Sequence, residues 1–235
     1  MTELDKPKRV LIAGASRGLG LGLARTYLQR GWDVFATVRN DAGEQALVAI
    51  GSEIGRAPFV ARMDILSNED VTKLRRRLEG VRFDILFVNA GITNDPSQPI
   101  ETVSSEEFQR IMLTNVFAPM RFVGMIGELV ARDGVVAVMS SNMGSVSGNE
   151  GGGWDVYKAS KSALNQAMKS FAARRHGDGK TYLLVSPGWV RTEMGGENAP
   201  LDIETSTAGI ADVIAQRAGQ GGVLFVDYRN SPVSW

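Results

Sequence analysis

The sequence contains no cysteine and a single histidine, His176, among its 235 residues. The absence of cysteine excludes disulfides, thiolate metal sites and cysteine nucleophiles, and it suits a reducing compartment. His176 follows two arginines and precedes Gly177, which is typical of the end of a helix, so we do not expect it to be catalytic. Because no cluster of His, Asp or Glu has metal-ligand spacing, the sequence predicts no metal site.

An excess of charge is also lacking, since 26 Lys and Arg residues balance 26 Asp and Glu residues. Such a balance gives no net field that would attract nucleic acid or an anionic membrane. No apolar run approaches the roughly 18 residues that a membrane span needs, and residues 1–9 lack the apolar middle of a secretion signal. We therefore expect a cytoplasmic protein that binds neither nucleic acid nor membrane.

Short β-branched runs alternate with longer amphipathic segments along the chain, a pattern typical of a parallel sheet covered by helices on both faces. Ser67 and Ser104 each precede acidic residues and a helical pattern, so both are predicted helix caps. Without a linker or repeat, residues 1–235 are predicted to form a single Rossmann-type, doubly wound α/β domain. The seven predicted strands are 9–13, 33–38, 58–62, 83–88, 135–139, 181–185 and 222–226.

The first predicted strand leads into a glycine-rich turn, Gly14-Ala15-Ser16-Arg17-Gly18-Leu19-Gly20, and then into a helical pattern. Such a turn places free backbone amides and the positive end of a helix dipole against a pyrophosphate. Three glycines can also form a tight connection and nothing more, but the strand–turn–helix context favours a dinucleotide site.

Two cations near this turn predict which dinucleotide binds. Arg17 lies inside the turn and Arg39 directly follows the second strand, where cations suit the 2′-phosphate of NADP(H). Arg39 could instead be a solvated surface residue, and Asp41 could reach a ribose, although we interpret Asp41 as part of a helix start. The sequence therefore predicts NADP(H).

A tyrosine and a lysine lie one helical turn apart in Tyr157-Lys158-Ala159-Ser160-Lys161, at the start of an apolar stripe. A lysine on such a stripe costs free energy unless something pairs with it, although it can also snorkel beside a packed tyrosine. A phenol can donate the proton that a carbonyl needs when it accepts a hydride. We interpret Tyr157 as this general acid and Lys161 as the group that lowers its pKa and binds the nicotinamide ribose.

Three further polar residues are candidates for the same site. Ser141 follows the fifth strand, where its hydroxyl could bind the carbonyl oxygen as charge develops. Ser145 is the alternative, and either serine could merely cap a turn. Asn115 falls on the apolar stripe of the preceding helix, where a buried amide needs hydrogen-bond partners. It is a candidate for the site, but it could instead bond to backbone groups that are left without partners near Pro119.

These motifs, in this order, resemble the short-chain dehydrogenase/reductase family over nearly the whole chain, and most closely its C-factor and Sniffer-like carbonyl reductase branch. The resemblance implies that Asp64 contacts the adenine and that Asn115 holds a water that relays protons to Lys161. It implies that the turn after the sixth strand lies beside the nicotinamide, ahead of a mobile substrate loop at residues 189–203. Further cofactor-binding residues implied by the resemblance are Asn89, Ala90, Gly91, Pro187, Gly188, Val190 and Thr192.

The resemblance implies an NADP(H)-dependent oxidoreductase that transfers a hydride between the nicotinamide and a ketone, aldehyde, quinone or alcohol. It also implies a homodimer or homotetramer, formed through the long helices predicted over residues 104–130 and 155–176. A signalling protein that binds dinucleotide with little turnover is the alternative. A sugar epimerase or dehydratase would need an added substrate domain, for which the sequence has no room.

Overall fold

The computed structural model describes residues 7–235. Most of residues 1–9, for which the sequence predicted no secretion signal, therefore lies outside the described residues. Within this range, seven strands form one parallel sheet in the order β3-β2-β1-β4-β5-β6-β7. The predicted doubly wound α/β fold is thereby confirmed. The strands are β1 (Arg9–Ala13), β2 (Asp33–Val38), β3 (Phe59–Arg62), β4 (Phe83–Val88), β5 (Val130–Met139), β6 (Thr181–Ser186) and β7 (Gly222–Asp227).

Helices cover both faces of the sheet, and each face has its own apolar core. One core contains Leu23, Leu47 and Ile210 from the helices of one face. The other contains Val71, Phe122 and Leu164 from the opposite face. The helices are α1 (Gly18–Gln29), α2 (Asp41–Ile54), α3 (Asn68–Arg77), α4 (Ser105–Met112), α5 (Ala118–Ile126), α6 (Asp155–Ala173) and α7 (Ile203–Arg217).

The two predicted helix caps are confirmed. Ser67 accepts a hydrogen bond from the Asp70 N–H at the start of α3 (3.1 Å), and Ser104 accepts one from the Glu107 N–H at the start of α4 (3.2 Å). Each hydroxyl thereby satisfies one of the amides that a helix N-terminus leaves without a backbone partner.

Strand β5 begins earlier than the sequence pattern predicted, at Val130 rather than at residue 135. Its first half contains the exposed Arg132 and Asp133 and then Gly134. These residues separate Val130 from the apolar run that predicted the second half of the strand. Val130 still pairs with Phe83 of β4, and the register shifts between Phe83 and Ile85 to accommodate the polar residues. Tertiary pairing thus overrides a local sequence that is poor in strand formers.

All strands are parallel, so the segments that follow them meet at one edge of the sheet, called here the carboxyl edge. The chain reverses its direction of winding between β1 and β4, and the crevice at such a reversal is where open α/β sheets bind ligands. Apart from Asn115, the predicted site residues follow a strand at this edge or lie at the start of the next helix. In the part of the chain that the structure describes, no helix has the length and apolar character needed to cross a membrane.

Candidate active site

Neighbouring strands hold the glycine-rich turn after β1. Thr37 of β2 accepts a hydrogen bond from the Gly14 N–H (3.1 Å), and the Asn89 side chain after β4 donates one to the Gly14 carbonyl (2.9 Å). Gly14 has a φ of +88°, a conformation that favours glycine. A Cβ at Gly20 would lie 2.0 Å from the Gly14 carbonyl oxygen. Both glycines are therefore required by the close approach of turn and helix.

Helix α1 begins without the side-chain cap and the first-turn acid that are found at the starts of four other helices. Its N-cap, Arg17, makes no side-chain capping bond, and no acidic residue lies in its first turn. By contrast α2, α3, α4 and α7 each have a side-chain cap and an acid in the first turn. The positive end of α1 can thus attract an anion, because no side chain caps its first amides and no acid lies in its first turn. The turn could hold a pyrophosphate there.

The two predicted ribose-end arginines lie at this turn, and both are exposed. The Arg39 N–H donates to the Ser16 hydroxyl (3.3 Å), which places Arg39 next to the glycine-rich turn. Arg17 forms an ion pair with Glu193 from the loop after β6. The structure therefore brings both cations to the carboxyl edge, within the region where a dinucleotide phosphate would lie.

Two nearby acids make local contacts. Asp41 is the first residue of α2 and forms an ion pair with Arg62 (2.6 Å), in agreement with its interpretation as part of a helix start. Asp64 accepts a hydrogen bond from the Leu66 N–H (2.9 Å), and its own N–H donates to Asp70 (3.0 Å). Asp64 thus stabilises a turn through one carboxylate oxygen, a common role of an acid in a loop.

Tyr157 and Lys161 lie together in the first turns of α6, with exposed fractions of 8% and 2%. The Lys161 Nζ lies 5.6 Å from the centroid of the Tyr157 ring and donates a hydrogen bond to the Met139 carbonyl at the end of β5 (2.9 Å). A Cβ at Gly91 would lie 3.3 Å from this Nζ. Glycine at that position therefore keeps the space beside the ammonium group free of a side chain.

Burial shifts the pKa of both groups in opposite directions. It raises the pKa of the Tyr157 phenol to about 12, an effect that interaction with the Ser141 hydroxyl opposes, and it lowers the pKa of Lys161 to about 8. The structure differs here from the expectation that Lys161 lowers the phenol pKa. The ammonium group donates to the Met139 carbonyl, and its own charge is disfavoured by burial. At neutral pH the phenol is therefore protonated and can serve as a proton donor.

Of the two candidate serines, Ser141 is the one whose hydroxyl opposes the rise that burial causes in the pKa of Tyr157. The Ser141 hydroxyl also accepts a hydrogen bond from the Met143 N–H (3.1 Å). Ser145 is buried, and its hydroxyl accepts one from the Gly148 N–H (3.0 Å), which is a turn-stabilising contact. The geometry therefore favours Ser141 as the hydroxyl beside the phenol.

Asn115 is completely buried in a π-helical segment, Leu113–Phe117, that joins α4 to α5. Its side chain accepts from the Ile92 N–H and donates to the Ile92 carbonyl, both at 2.8 Å, and it donates to the Ser160 hydroxyl (2.9 Å). Ser160 in turn donates to the Tyr157 carbonyl (2.7 Å). Asn115 thus connects the segment after β4 to the helix that contains Tyr157. π-Helical turns are frequent at functional sites.

The segment after β6 returns towards the same site. Gly188, which follows Pro187, has a φ of +81°, and a Cβ there would lie 3.0 Å from the Tyr228 ring. Val190 is buried and forms a parallel β-bridge with Leu201. The two ends of the predicted substrate loop are therefore held together by backbone pairing.

Hydrogen bonds also connect residues in the middle of this loop, and its predicted mobility stays a prediction. The Trp189 indole N–H donates to the Gly195 carbonyl (2.7 Å), and the Arg191 guanidinium donates to the Ala199 carbonyl (2.9 Å). A cavity of about 300 Å³ lies between the loop and the segment after β7. It is lined by Asn142, Gly188, Trp189, Pro200, Leu201, Asp227, Tyr228 and Arg229.

In residues 7–235, no group of three or more His, Asp and Glu side chains is arranged to hold a metal ion. His176 is exposed just after α6, and its N–H donates to the Ala173 carbonyl (3.3 Å), as in the last turn of a helix. The candidate site is therefore the cluster of Tyr157, Lys161 and Ser141 at the carboxyl edge, next to the segment after β4 that is hydrogen-bonded to the glycine-rich turn.

Comparison with known proteins assigns this arrangement to a family. A family model described as short chain dehydrogenase matches residues 8–201. The chain belongs to the short-chain dehydrogenase family. A putative short-chain dehydrogenase/reductase from Burkholderia multivorans, solved with bound NADP, is 45% identical with a TM-score of 0.94, over 98% of this chain and 100% of that one. A carbonyl reductase from Pseudomonas aeruginosa PAO1, in complex with NADP, is 40% identical with a TM-score of 0.90, over the same shares.

The branch of the short-chain dehydrogenase family predicted from the sequence is also confirmed. The carbonyl reductase Sniffer of Drosophila melanogaster is 31% identical with a TM-score of 0.86, over 98% of this chain and 100% of that one. The protein named C-signal of Myxococcus xanthus is 31% identical over 154 residues, which are 65% of this chain and 92% of that protein. This dehydrogenase is therefore similar to both proteins after which the branch was named.

Sequence reasoning did not single out two residues that shape the site of this dehydrogenase. Thr37 accepts a hydrogen bond from the Gly14 N–H and so helps to fix the glycine-rich turn. Trp154 packs against the Tyr157 ring at 5.6 Å between centroids. Thr37 was hidden because its partner lies 23 residues away in sequence, whereas the position of Trp154, three residues before Tyr157, was a signal that could have been used.

Proposed function

We propose that this short-chain dehydrogenase is an NADP(H)-dependent carbonyl reductase in which Tyr157 donates the proton to the carbonyl oxygen. The observation that carries this proposal is that a buried phenol and a buried ammonium group lie together in the first turns of α6. The ammonium group lies beside Gly91 in the segment after β4, and Asn89 of that segment is hydrogen-bonded to the turn after β1. A bound NADPH would supply the hydride. Tyr157 and Ser141 would both donate hydrogen bonds to the carbonyl oxygen that receives the proton.

The side chains divide the work by their chemistry. Ser141 would donate a hydrogen bond to the carbonyl oxygen as negative charge develops there. Tyr157 would complete the reduction by transferring its proton, and in alcohol oxidation it would accept one. Lys161, with a pKa of about 8, can gain or lose a proton near neutrality and so return a proton to the phenol. Asn115 would hold the start of α6 through Ser160, and the proton-relaying water implied by the family remains part of this proposal.

The cofactor fits the residues present. The uncompensated start of α1 would hold the pyrophosphate, and Gly91 leaves space beside the Lys161 ammonium for the nicotinamide ribose. Arg17 and Arg39 would bind the 2′-phosphate. The NADP bound by the Burkholderia and Pseudomonas relatives supports the same cofactor here. Other proposed contacts are Gly14, Ser16, Gly18, Leu19, Gly20, Asp64, Asn89, Ala90, Pro187, Gly188, Val190 and Thr192.

The test of the proposed function is NADPH consumption by the purified protein with a panel of aldehydes, ketones and quinones, monitored by the loss of NADPH absorbance. We expect turnover with at least one of these classes, faster with NADPH than with NADH. Binding of NADPH without turnover of any carbonyl compound would contradict the proposal and favour the signalling alternative, for which the similarity to C-signal is the supporting observation.

The two serines give a prediction that separates their roles. Ser141→Ala should lower kcat by roughly 10²- to 10³-fold, the range seen when one donor to a developing oxyanion is removed. Ser145→Ala should change kcat little and lower the free energy of unfolding by about 1 kcal/mol, because it removes one hydrogen bond to the Gly148 N–H. Steady-state kinetics and urea unfolding of both variants provide the measurements, and the reverse pattern would reassign the reacting hydroxyl to Ser145.

The cofactor preference depends on Arg39. In Arg39→Asp, the new carboxylate should repel the 2′-phosphate and weaken NADPH binding by roughly tenfold or more, the loss expected for one charge-assisted hydrogen bond. Binding of NADH, which has a hydroxyl in that place, should be unchanged or tighter. Fluorescence titration with both nucleotides measures the effect. Arg76→Asp, near the end of α3 and far from the carboxyl edge, is the matched control. An unchanged NADPH-to-NADH ratio would refute the role of Arg39.

Three broader features of the proposal follow from the arrangement of the chain. One sheet contains all seven strands of residues 7–235, which supports a single catalytic domain. Phe108, Leu113 and Phe117 expose between 37% and 55% of their surface along α4 and the π-helical segment, which supports assembly as a homodimer or homotetramer through these helices. A cytoplasmic location stays a prediction.

A further inference from the structure

Trp154 has a backbone conformation that bulky residues rarely adopt. Its φ of +59° and ψ of +25° lie in the left-handed region, where a residue with a Cβ is strained. Within residues 7–235, Asn230 is the one other non-glycine residue with a positive φ, and asparagine tolerates this region better than most residues. Strained conformations persist where the surrounding structure enforces them, and they cluster at functional sites.

The surrounding backbone fixes Trp154 on both sides. Its N–H donates a hydrogen bond to the Pro96 carbonyl in the segment after β4 (2.8 Å), and its carbonyl accepts one from the Lys158 N–H (2.8 Å), the first hydrogen bond of α6. As the N-cap residue it provides no side-chain hydrogen bond to the helix. Glycine or asparagine would suit this backbone better, so the backbone alone gives no reason for a tryptophan.

The indole ring contacts Tyr157 instead. The ring centroids are 5.6 Å apart with an angle of 66° between the planes, an edge-to-face geometry that is favourable for aromatic pairs. Tyr157 is 8% exposed although it lies in the first turn of α6, beside the glycine-rich segment 148–153. Those glycines have no side chain that could cover the phenol, whereas the indole packs against its ring.

We propose that Trp154 is a positioning residue that holds the Tyr157 ring in its reactive orientation and limits the access of water to it. This inference rests on the proposed function, because it needs Tyr157 to be the proton donor. The strained backbone directs the indole towards the phenol, and the Pro96 carbonyl keeps it there. A shift of the phenol oxygen by about 1 Å is enough to slow a reaction by roughly 10²-fold.

The test compares Trp154→Asn and Trp154→Phe with the wild type. Asparagine tolerates the left-handed conformation, so Trp154→Asn should fold with an unfolding temperature close to that of the wild type. Its kcat should fall by roughly ten- to a hundredfold, with the Kd for NADPH nearly unchanged. Since burial raises the phenol pKa, exposure to water should move the pH profile of alcohol oxidation towards lower pH. Trp154→Phe, which keeps an aromatic ring, should recover most of the kcat.

Each outcome decides between positioning and packing. If Trp154→Asn keeps the wild-type kcat and pH profile, or if Trp154→Phe is as impaired as Trp154→Asn, the inference is overturned. Should Trp154→Asn unfold, Trp154→Gly, which relieves the same strain, takes its place in the comparison. Tyr157→Phe is measured in parallel. A Tyr157→Phe protein as active as the wild type refutes the role of Tyr157 as proton donor in the proposed function, whereas an inactive one beside a fully active Trp154→Asn protein refutes only the role of Trp154.

Discussion

Replacing Tyr157 with phenylalanine should lower kcat by roughly 10²- to 10⁴-fold, the contribution of a positioned general acid. The substitution removes one oxygen and keeps the ring that packs against Trp154. The Kd for NADPH should therefore stay near its wild-type value, as measured by fluorescence titration. The Ser141 hydroxyl loses its interaction with the phenol, but it keeps the hydrogen bond from Met143, so the fold should be retained.

A second buried tyrosine provides the matched control. Tyr182 donates a hydrogen bond to Asp178 (2.6 Å) and lies near the start of β6, at the opposite edge of the sheet. Tyr182→Phe should lower the free energy of unfolding by about 1 kcal/mol, as expected for the loss of one hydrogen bond, while kcat stays unchanged. Equal rates for wild type and Tyr157→Phe would show that the phenol takes no part in proton transfer.

Replacing Lys161 with methionine should abolish most of the carbonyl reduction and yet make the protein more stable at neutral pH. Burial lowers the pKa of this ammonium group from 10.5 to about 8, a difference that corresponds to roughly 3 kcal/mol. Methionine has similar length and no charge, so it avoids this cost but leaves the Met139 carbonyl without its 2.9 Å donor. We expect a net gain of roughly 1–2 kcal/mol in the free energy of unfolding.

The gain should depend on pH in a defined direction. Between pH 8 and 10.5 the unfolded chain holds the Lys161 proton while the folded protein has released it, so wild-type stability should rise with pH in this interval. The advantage of the methionine variant should therefore be largest below pH 8 and decrease towards pH 10.5. Urea unfolding across this range measures it. Lys73→Met, which removes a surface charge paired with Glu69, should show no such gain, and a Lys161→Met protein that is less stable than wild type at neutral pH would contradict the argument.

The strands were predictable because the sequence of a buried parallel strand is a continuous apolar run between turn residues. The boundaries of β1, β2 and β4 were predicted as observed. The first half of β5 was missed because Arg132 and Asp133 are exposed where the strand begins, and a local pattern does not report that Val130 pairs with Phe83. Element positions thus follow from local chemistry, whereas the ends of elements depend on partners distant in sequence.

Within the site, spacing along one helix was informative and contacts across loops were not. Tyr157 and Lys161 are one turn apart on α6, so their proximity followed from helical geometry alone. The choice between Ser141 and Ser145 depended on the conformation of the segment between Ser141 and Tyr157, which contains several glycines and has no regular spacing that fixes which serine lies near the phenol. The pKa of Tyr157 was predicted in the wrong direction because burial of the whole pair, and the preference of Lys161 for the Met139 carbonyl, are tertiary effects.

The contacts of Gly14 have a consequence for nucleotide affinity. Thr37 and Asn89 hold this residue from two neighbouring strands, so the turn already has the shape in which its amides face a phosphate. Its conformational entropy is lost when the chain folds and not when the nucleotide arrives. Nucleotide binding then orders little of the protein. Because little conformational entropy is lost at that step, more of the favourable free energy of the phosphate contacts contributes to the binding affinity.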